Sequence, residues 1–137
     1  MCKQILILTL SMLYGQAFAA WTITPYVSGG DGTFYWDTQK ITYKGDGFKI
    51  GTAIDFGEMQ FSKLKPEQKY LSVQEELELN CVKFQARVLT YAEYSDHLGF
   101  GSVVAQSPHE TQWSAVESDT FSYHVMKTFC SKRNTNP

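Results

Sequence analysis

The sequence predicts an α+β fold in which a single antiparallel β-sheet of about five to six strands packs against one C-terminal α-helix. Three observations lead to this prediction. Apolar and polar residues alternate through the middle of the chain, and an apolar repeat of helical spacing closes it. One cysteine falls on each of these two patterns, and aromatic residues, which suit strands, make up 15% of the chain.

Residues 1–19 have the parts of a secretory signal peptide. Lys3 supplies a positive charge, Ile5–Leu13 form an apolar run, and small alanines precede the expected cleavage site. The apolar run is shorter than the roughly 20 residues that span a membrane. A lipoprotein signal would need a cysteine just after this run, whereas Cys2 lies before it. We expect an exported protein, periplasmic or secreted, that is not lipidated, has no membrane anchor and forms one domain over residues 20–137.

Size and charge narrow the possible partners. Cleavage would leave 118 of the 137 residues, enough for one domain with a modest core. The net charge of −2 becomes −3 when Lys3 is lost. Such a weak charge, with Lys and Glu scattered along the chain, argues against nucleic acid as a partner. The basic cluster of Lys127, Lys132 and Arg133 falls at a predicted helix end, where it complements the helix dipole.

The first part of the chain predicts short strands separated by turns. Pro25 limits the first strand to a sheet edge or to a strand start, and Ser28–Gly32 form a glycine-rich turn. Gly45-Asp46-Gly47 is a strong hairpin signal. The polar stretch Gly57–Lys69 is predicted to be a loop. Four strands are expected here: Trp21–Val27, Thr33–Asp37, Lys40–Lys44 and Phe48–Phe56.

The clearest alternation runs through Leu71–Cys81. The odd-numbered residues are apolar and the even-numbered residues polar, which is typical of a half-buried strand with Cys81 facing inward. Glu75 interrupts the apolar side, and we expect it near an edge or bulge where its carboxylate reaches water. After a turn or bulge at Val82–Gln85, a second long strand is predicted over Phe84–Tyr94. A turn at Ser95–Gly101 and a short strand at Ser102–Gln106 follow.

The last element has helical spacing. Phe121, Val125 and Phe129 lie four residues apart, and Met126 and Cys130 flank the same stripe. Ser118 or Asp119 is expected to cap the start of this helix.

Cys81 and Cys130 are predicted to form a structural disulfide. In an exported chain an even pair of cysteines indicates a bridge. The alternatives are two free buried thiols or a redox pair, but redox pairs normally have C-x-x-C spacing, which is absent. The strand pattern and the helix pattern both point these cysteines inward, so the bridge would tie the helix to the sheet.

No catalytic or metal-binding pattern appears, so the sequence predicts a noncatalytic protein without a cofactor. His97, His109 and His124 lack metal-ligand spacing, and no G-x-S-x-G motif occurs. Aromatic residues are therefore the candidates for a protein-binding site, although strand aromatics also serve as core packing. The candidates are Tyr35, Trp36, Tyr91 and Tyr94. Trp113, just before the helix, is expected to plug the junction between sheet and helix.

Taken in order, these residues resemble the surface-adhesin protein E family of Gram-negative bacteria. The resemblance covers most of residues 20–137 and rests on Tyr35-Trp36-Asp37, Ile41, the glycine hairpin, Cys81, Arg87, Tyr94, Gly101, Trp113, Val116 and Cys130. It implies an antiparallel sheet with a C-terminal helix. For the family's best-known surface member it also implies adhesion to host matrix and plasma proteins such as vitronectin, laminin and plasminogen.

Two features depart from the family pattern. The chain lacks the lipoprotein cysteine of an anchored member, and it has Glu117-Ser118-Asp119 where members often have Pro-Gly-Ser. The resulting hypothesis is an exported, noncatalytic, adhesin-like protein-binding module. The alternative is a periplasmic inhibitor or envelope binding protein that never meets a host.

Overall fold

The computed structural model describes residues 20–133, so the signal peptide predicted for residues 1–19 lies outside the described residues. The described part contains eight strands and one α-helix. They are β1 (Trp21–Val27), β2 (Gly32–Asp37), β3 (Thr42–Lys44), β4 (Gly47–Phe61), β5 (Lys69–Asn80), β6 (Gln85–Tyr94), β7 (Val103–Ser107), β8 (Ser114–Ala115) and α1 (Phe121–Arg133).

The strands form one antiparallel sheet in the order β1-β2-β4-β5-β6-β7. The short strand β3 pairs with β4, and the two-residue strand β8 pairs with β6. The predicted α+β fold with a sheet and a C-terminal helix is therefore confirmed.

The helix packs on one side of the sheet, which we call the helix face. Val125, Met126 and Phe129 are at most 2% exposed, and they contact apolar residues from β2, β4, β5 and β6. Those sheet residues are Trp36, Phe48, Ile50, Leu77, Leu79 and Ala86. Because successive side chains of a strand alternate between faces, their neighbours lie on the other side, which we call the open face.

The disulfide predicted between Cys81 and Cys130 is present, with the two Cα atoms 5.7 Å apart. Cys81 directly follows β5, and Cys130 lies in the last turns of α1. Both residues pack against the core cluster. The bridge therefore ties the helix to the sheet, as the two sequence patterns indicated.

The predicted hairpin is also present. Gly45 and Asp46 form the two-residue connection between β3 and β4, and Gly45 adopts a positive φ of 58°, which favours glycine. Gly47 follows at the start of β4, where an added Cβ would collide with the Leu79 carbonyl group. This second glycine is needed because two strands approach closely.

The prediction of a loop over Gly57–Lys69 is wrong at both ends. Strand β4 continues to Phe61 and β5 begins at Lys69, so the connection is limited to residues 62–68. The register between β4 and β5 shifts between Asp55 and Gln60, and this bulge removes the alternation by which a strand is recognised.

A β-bulge halfway along β6 reverses which of its alternate side chains face α1. Glu76 pairs with Thr90 and Leu77 with Val88, so Leu89 is the extra residue of a β-bulge. Ala86 and Val88 lie on the helix face before the bulge, and alternate residues from Tyr91 do so after it. The turn expected before this strand is present over residues 81–84, where the Asn80 side chain accepts hydrogen bonds from two backbone amides.

The predicted helix cap is wrong by one or two residues. Thr120, rather than Ser118 or Asp119, precedes the helix, and its Oγ1 accepts a hydrogen bond from the Tyr123 amide at 3.2 Å. Asp119 instead takes a positive φ of 63°, which turns the chain into the helix.

Candidate protein-binding surface

The structure separates the four aromatic candidates between the two faces of the sheet. Trp36 is only 6% exposed and lies on the helix face. Its ring meets Phe129 edge-on at a centroid distance of 4.9 Å and stacks on His124. Trp36 therefore packs the junction between sheet and helix, the position that the sequence suggested for Trp113.

Tyr91 also lies on the helix face, beyond the end of the region that α1 covers. Its hydroxyl donates a 2.8 Å hydrogen bond to Oε1 of Glu93, a carboxylate with no exposed surface. The same oxygen accepts a hydrogen bond from the Lys63 amide at 3.0 Å. Burial and the neighbouring Glu93 raise the pKa of Tyr91. These contacts make Tyr91 part of an internal polar cluster.

Glu75 belongs to the same region, because it pairs with Tyr91 across β5 and β6. Burial raises the pKa of its carboxyl group, and the positive charge of Lys63 partly offsets this. The expectation that Glu75 lies near a bulge is correct, since the β6 bulge begins at its neighbour Glu76. Glu75 is half-buried, so its contact with water is limited.

Tyr35 and Tyr94 are half-buried and lie on the open face. Tyr94 lines a groove of about 240 Å³ that crosses the middle of this face, which we call the central groove. Its lining comprises Trp21, Asp37, Lys40, Gly51, Gln74, Glu75, Glu76, Thr90, Ala92 and Tyr94. The groove thus combines two aromatic rings with charged and polar groups on the sheet surface opposite α1.

Small residues form the floor of the central groove. A Cβ added at Gly51 would lie 3.9 Å from the Trp21 ring, so the ring sits beside a position without a side chain. Ala92, on β6, pairs with Gln74 on β5 and is the second small residue of the floor. Longer side chains at these two positions would fill the groove.

The chain after β6 folds over the open face beside the groove. Ser72 donates a 2.6 Å hydrogen bond to the Asp96 carbonyl and accepts one from the Gly99 amide at 2.8 Å. His97 Nδ1 lies 3.0 Å from the Asp55 carboxylate. These bonds hold the turn at residues 95–101 against the sheet and make it a fixed wall.

Trp113 lies on the open face and not at the sheet–helix junction, so the expectation for this residue is wrong. Its ring packs against the Arg87 guanidinium group, with Cζ 4.7 Å from the ring centroid. Arg87 forms ion pairs with Glu78 at 2.8 Å and with Glu110 at 3.2 Å. The reason for the placement is that residues 114 and 115 pair with the outer edge of β6, on which Arg87 lies.

Within residues 20–133, no group of three or more His, Cys, Asp or Glu side chains is placed to hold a metal ion. Sequence reasoning identified Tyr35 and Tyr94 but missed Trp21 and the Arg87–Trp113 contact. Trp21 was visible only as the first residue of an edge strand, and the contact with Arg87 joins residues 26 positions apart.

Comparison with known proteins agrees with this architecture. The family model "Surface-adhesin protein E" matches residues 21–131. The chain belongs to the surface-adhesin protein E family. The matched range includes all eight strands, both cysteines and most of α1.

Solved structures show the same fold. The structure of Haemophilus influenzae protein E has a TM-score of 0.62 at 14% identity, covering 89% of this chain and 92% of that chain. A second crystal form of that protein has a TM-score of 0.60 at 15% identity and covers 83% of this chain and 98% of that chain. No curated protein matches the sequence. In the described residues, no helix is long and apolar enough to cross a membrane.

Proposed function

We propose that this family member is an exported, noncatalytic, adhesin-like module that binds a protein partner through the central groove and the rim around it. The observation that carries the proposal is the position of Trp21, Tyr35 and Tyr94. All three are half-buried, and all three lie on the sheet face that the helix leaves uncovered.

The chemistry of this surface suits a protein interface. Aromatic side chains with limited rotamer freedom are common among the residues that contribute most to binding, and a polar rim excludes water around them. Here Trp21 and Tyr94 flank the groove, while Lys40, Glu76 and Thr90 supply the polar groups. These side chains stand on paired strands of one sheet, so little backbone conformational entropy is lost when a partner binds.

The charged side chains of the groove are of both signs and are not expected to attract a partner over a long distance. Lys40, Asp37 and Glu76 all line the groove, so basic and acidic groups are both present. A surface of mixed sign gives little electrostatic steering. We therefore expect binding to depend only weakly on salt concentration.

Export is part of the proposal. A disulfide between Cys81 and Cys130 is typical of proteins that fold in an oxidising compartment. Family membership suggests the host proteins vitronectin, laminin and plasminogen as the first partners to test.

The test uses the mature protein with immobilised vitronectin, laminin and plasminogen in a surface plasmon resonance assay. Tyr35→Ala and Tyr94→Ala should each weaken binding to a recognised partner by about tenfold. Tyr123→Ala is the matched control, because Tyr123 lies on α1, on the opposite side of the sheet.

Equal affinities for the wild-type protein and both open-face variants would refute the proposed surface. A loss in the Tyr123 variant alone would assign binding to the helix side. Failure of all three host proteins to bind would remove the host-adhesion part of the proposal, and a pull-down from the periplasm would then test for an envelope partner.

A further inference from the structure

A second cavity on the open face lies apart from the central groove, beneath the β3–β4 hairpin. Its volume is about 230 Å³, and Trp113 forms one wall. Two lysines and two carboxylates surround it, namely Lys44, Lys49, Asp46 and Glu78. We call this the hairpin cavity. The two cavities share no lining residue.

The floor of the hairpin cavity lies where three strands run side by side. Lys44, Gly47 and Asn80 lie side by side across β3, β4 and β5. Any residue larger than glycine at position 47 would collide with the Leu79 carbonyl group, so glycine is required in this floor. The Asn80 side chain is held in place by its hydrogen bonds to the Val82 and Lys83 amides.

The wall opposite the hairpin is an aromatic ring that the protein holds in position. Trp113 is 38% exposed, and the Arg87 guanidinium packs over its ring. Arg87 is in turn fixed by the Glu78 carboxylate, which accepts from Nε at 2.9 Å, and by Glu110. A ring supported in this way loses little freedom when a ligand packs against it.

From this geometry we infer that the hairpin cavity binds a single neutral sugar ring, such as the pyranose unit of a glycan. A pyranose has a C–H face that packs on an aromatic ring and hydroxyl groups around its edge that both donate and accept hydrogen bonds. The cavity offers Trp113 for the face and ammonium, carboxylate and amide groups for the edge.

Size and charge both favour this ligand class. The cavity is smaller than the roughly 300–1,000 Å³ that drug-sized ligands occupy, so it suits one ring. The two lysines and two carboxylates of the lining balance, and so do Arg87 and Glu110, which pair beside Trp113. The cavity therefore has no net attraction for an anion or a cation. A hydroxyl group can accept a hydrogen bond from an ammonium group and donate one to a carboxylate. A charged ligand, in contrast, would be repelled either by the lysines or by the carboxylates.

This inference goes beyond the proposed function, since a sugar site beside the central groove requires no protein partner. The test is a two-dimensional NMR titration of the mature wild-type protein with methyl β-D-glucoside, methyl β-D-galactoside and methyl β-D-glucuronide. The Trp113 indole N–H and the Gly47 amide should shift with at least one neutral glycoside. The absence of any shift at these two groups up to about 100 mM would overturn the inference.

Variants test the role of the ring. Trp113→Ala should weaken sugar binding by about tenfold or more, while Trp113→Phe, which retains an aromatic face, should stay within about threefold of the wild type. Trp21→Ala, in the central groove, is the matched control and should leave sugar binding unchanged. Sugar binding that survives in Trp113→Ala, or binding of the glucuronide alone, would contradict the inference. The wild-type titration remains decisive if Trp113→Ala does not fold.

The glycan could come from an animal cell surface or from the bacterial envelope. N-acetyllactosamine represents the first source, and the peptidoglycan disaccharide represents the second. Tighter binding of either disaccharide at Trp113 would support the site and assign its source. Binding of neither, with no shift by the monosaccharides, would refute it.

Discussion

Removal of the disulfide is expected to lower the free energy of unfolding by about 4 kcal/mol. The bridge closes a loop between residues 49 positions apart. In the chain-entropy model, a loop of this length restricts the unfolded chain by about 14 cal/mol/K, which corresponds to about 4 kcal/mol at 25 °C. The effect acts mainly on the unfolded state, because the native contacts of α1 do not depend on the bridge.

The folded structure should survive this change. Val125, Met126 and Phe129 keep the helix on the sheet, and each is at most 2% exposed. The double variant Cys81→Ala/Cys130→Ala is preferable to a single substitution, because a lone thiol could form bridges between molecules. Its far-ultraviolet circular dichroism spectrum should match that of the oxidised wild type.

Urea unfolding followed by tryptophan fluorescence measures the loss. The urea midpoint should be lower in the double variant than in the oxidised wild-type protein, and reduced wild-type protein should show a similar decrease. Both should therefore have a free energy of unfolding that is lower than that of the oxidised protein by a similar amount. Equal midpoints for oxidised wild type and the double variant would refute the reasoning. So would a helix that detaches before the sheet unfolds, since the bridge would then be needed to hold the native packing.

Three further predictions concern stability. Thr120→Ala, which removes the helix cap, should cost about 1 kcal/mol in thermal unfolding, while Ser118→Ala should cost less. Trp36→Ala should cost about 3–5 kcal/mol in urea unfolding, well above Tyr35→Ala on the open face. Because burial raises the pKa of Glu75, the native state binds its proton more tightly than the unfolded state, and this contribution to stability is lost as pH rises above about 4. Glu75→Gln should therefore melt higher than wild type at pH 7 and equally at pH 3; a variant that melts lower at pH 7 would contradict this.

The sequence was a good guide where one periodicity continued without interruption. The alternation of β5 and the helical spacing of Phe121, Val125 and Phe129 each placed a cysteine at the same interface, and the bridge is found there. The glycines of the β3–β4 hairpin are equally informative, because positive φ and close strand approach both exclude larger side chains.

The sequence was a poor guide where contacts between distant residues decide the structure. The end of β4 looked like a loop because Gly57 and Glu58 break its alternation, yet the Asp31 side chain accepts a 2.9 Å hydrogen bond from the Glu58 amide and holds it in place. The hairpin cavity was missed for the same kind of reason. Trp113 reaches it only because β8 pairs with β6, and a two-residue strand leaves no recognisable pattern.

The bulge at Leu89 shows how strongly one residue governs the candidate surface. Without it, strict alternation from Ala86 would place Tyr94 on the helix face and Glu93 on the open face. With it, Glu93 becomes fully buried, and Tyr94 lines the central groove. Tyr91 and the Lys63 amide both donate to Oε1 of this buried carboxylate, which offsets part of the cost of burial, while Oε2 has no hydrogen-bond partner among the described residues. The bulge therefore places an anchoring aromatic ring on the open face and, on the opposite face, creates a polar cluster that the loop at residues 62–68 must satisfy.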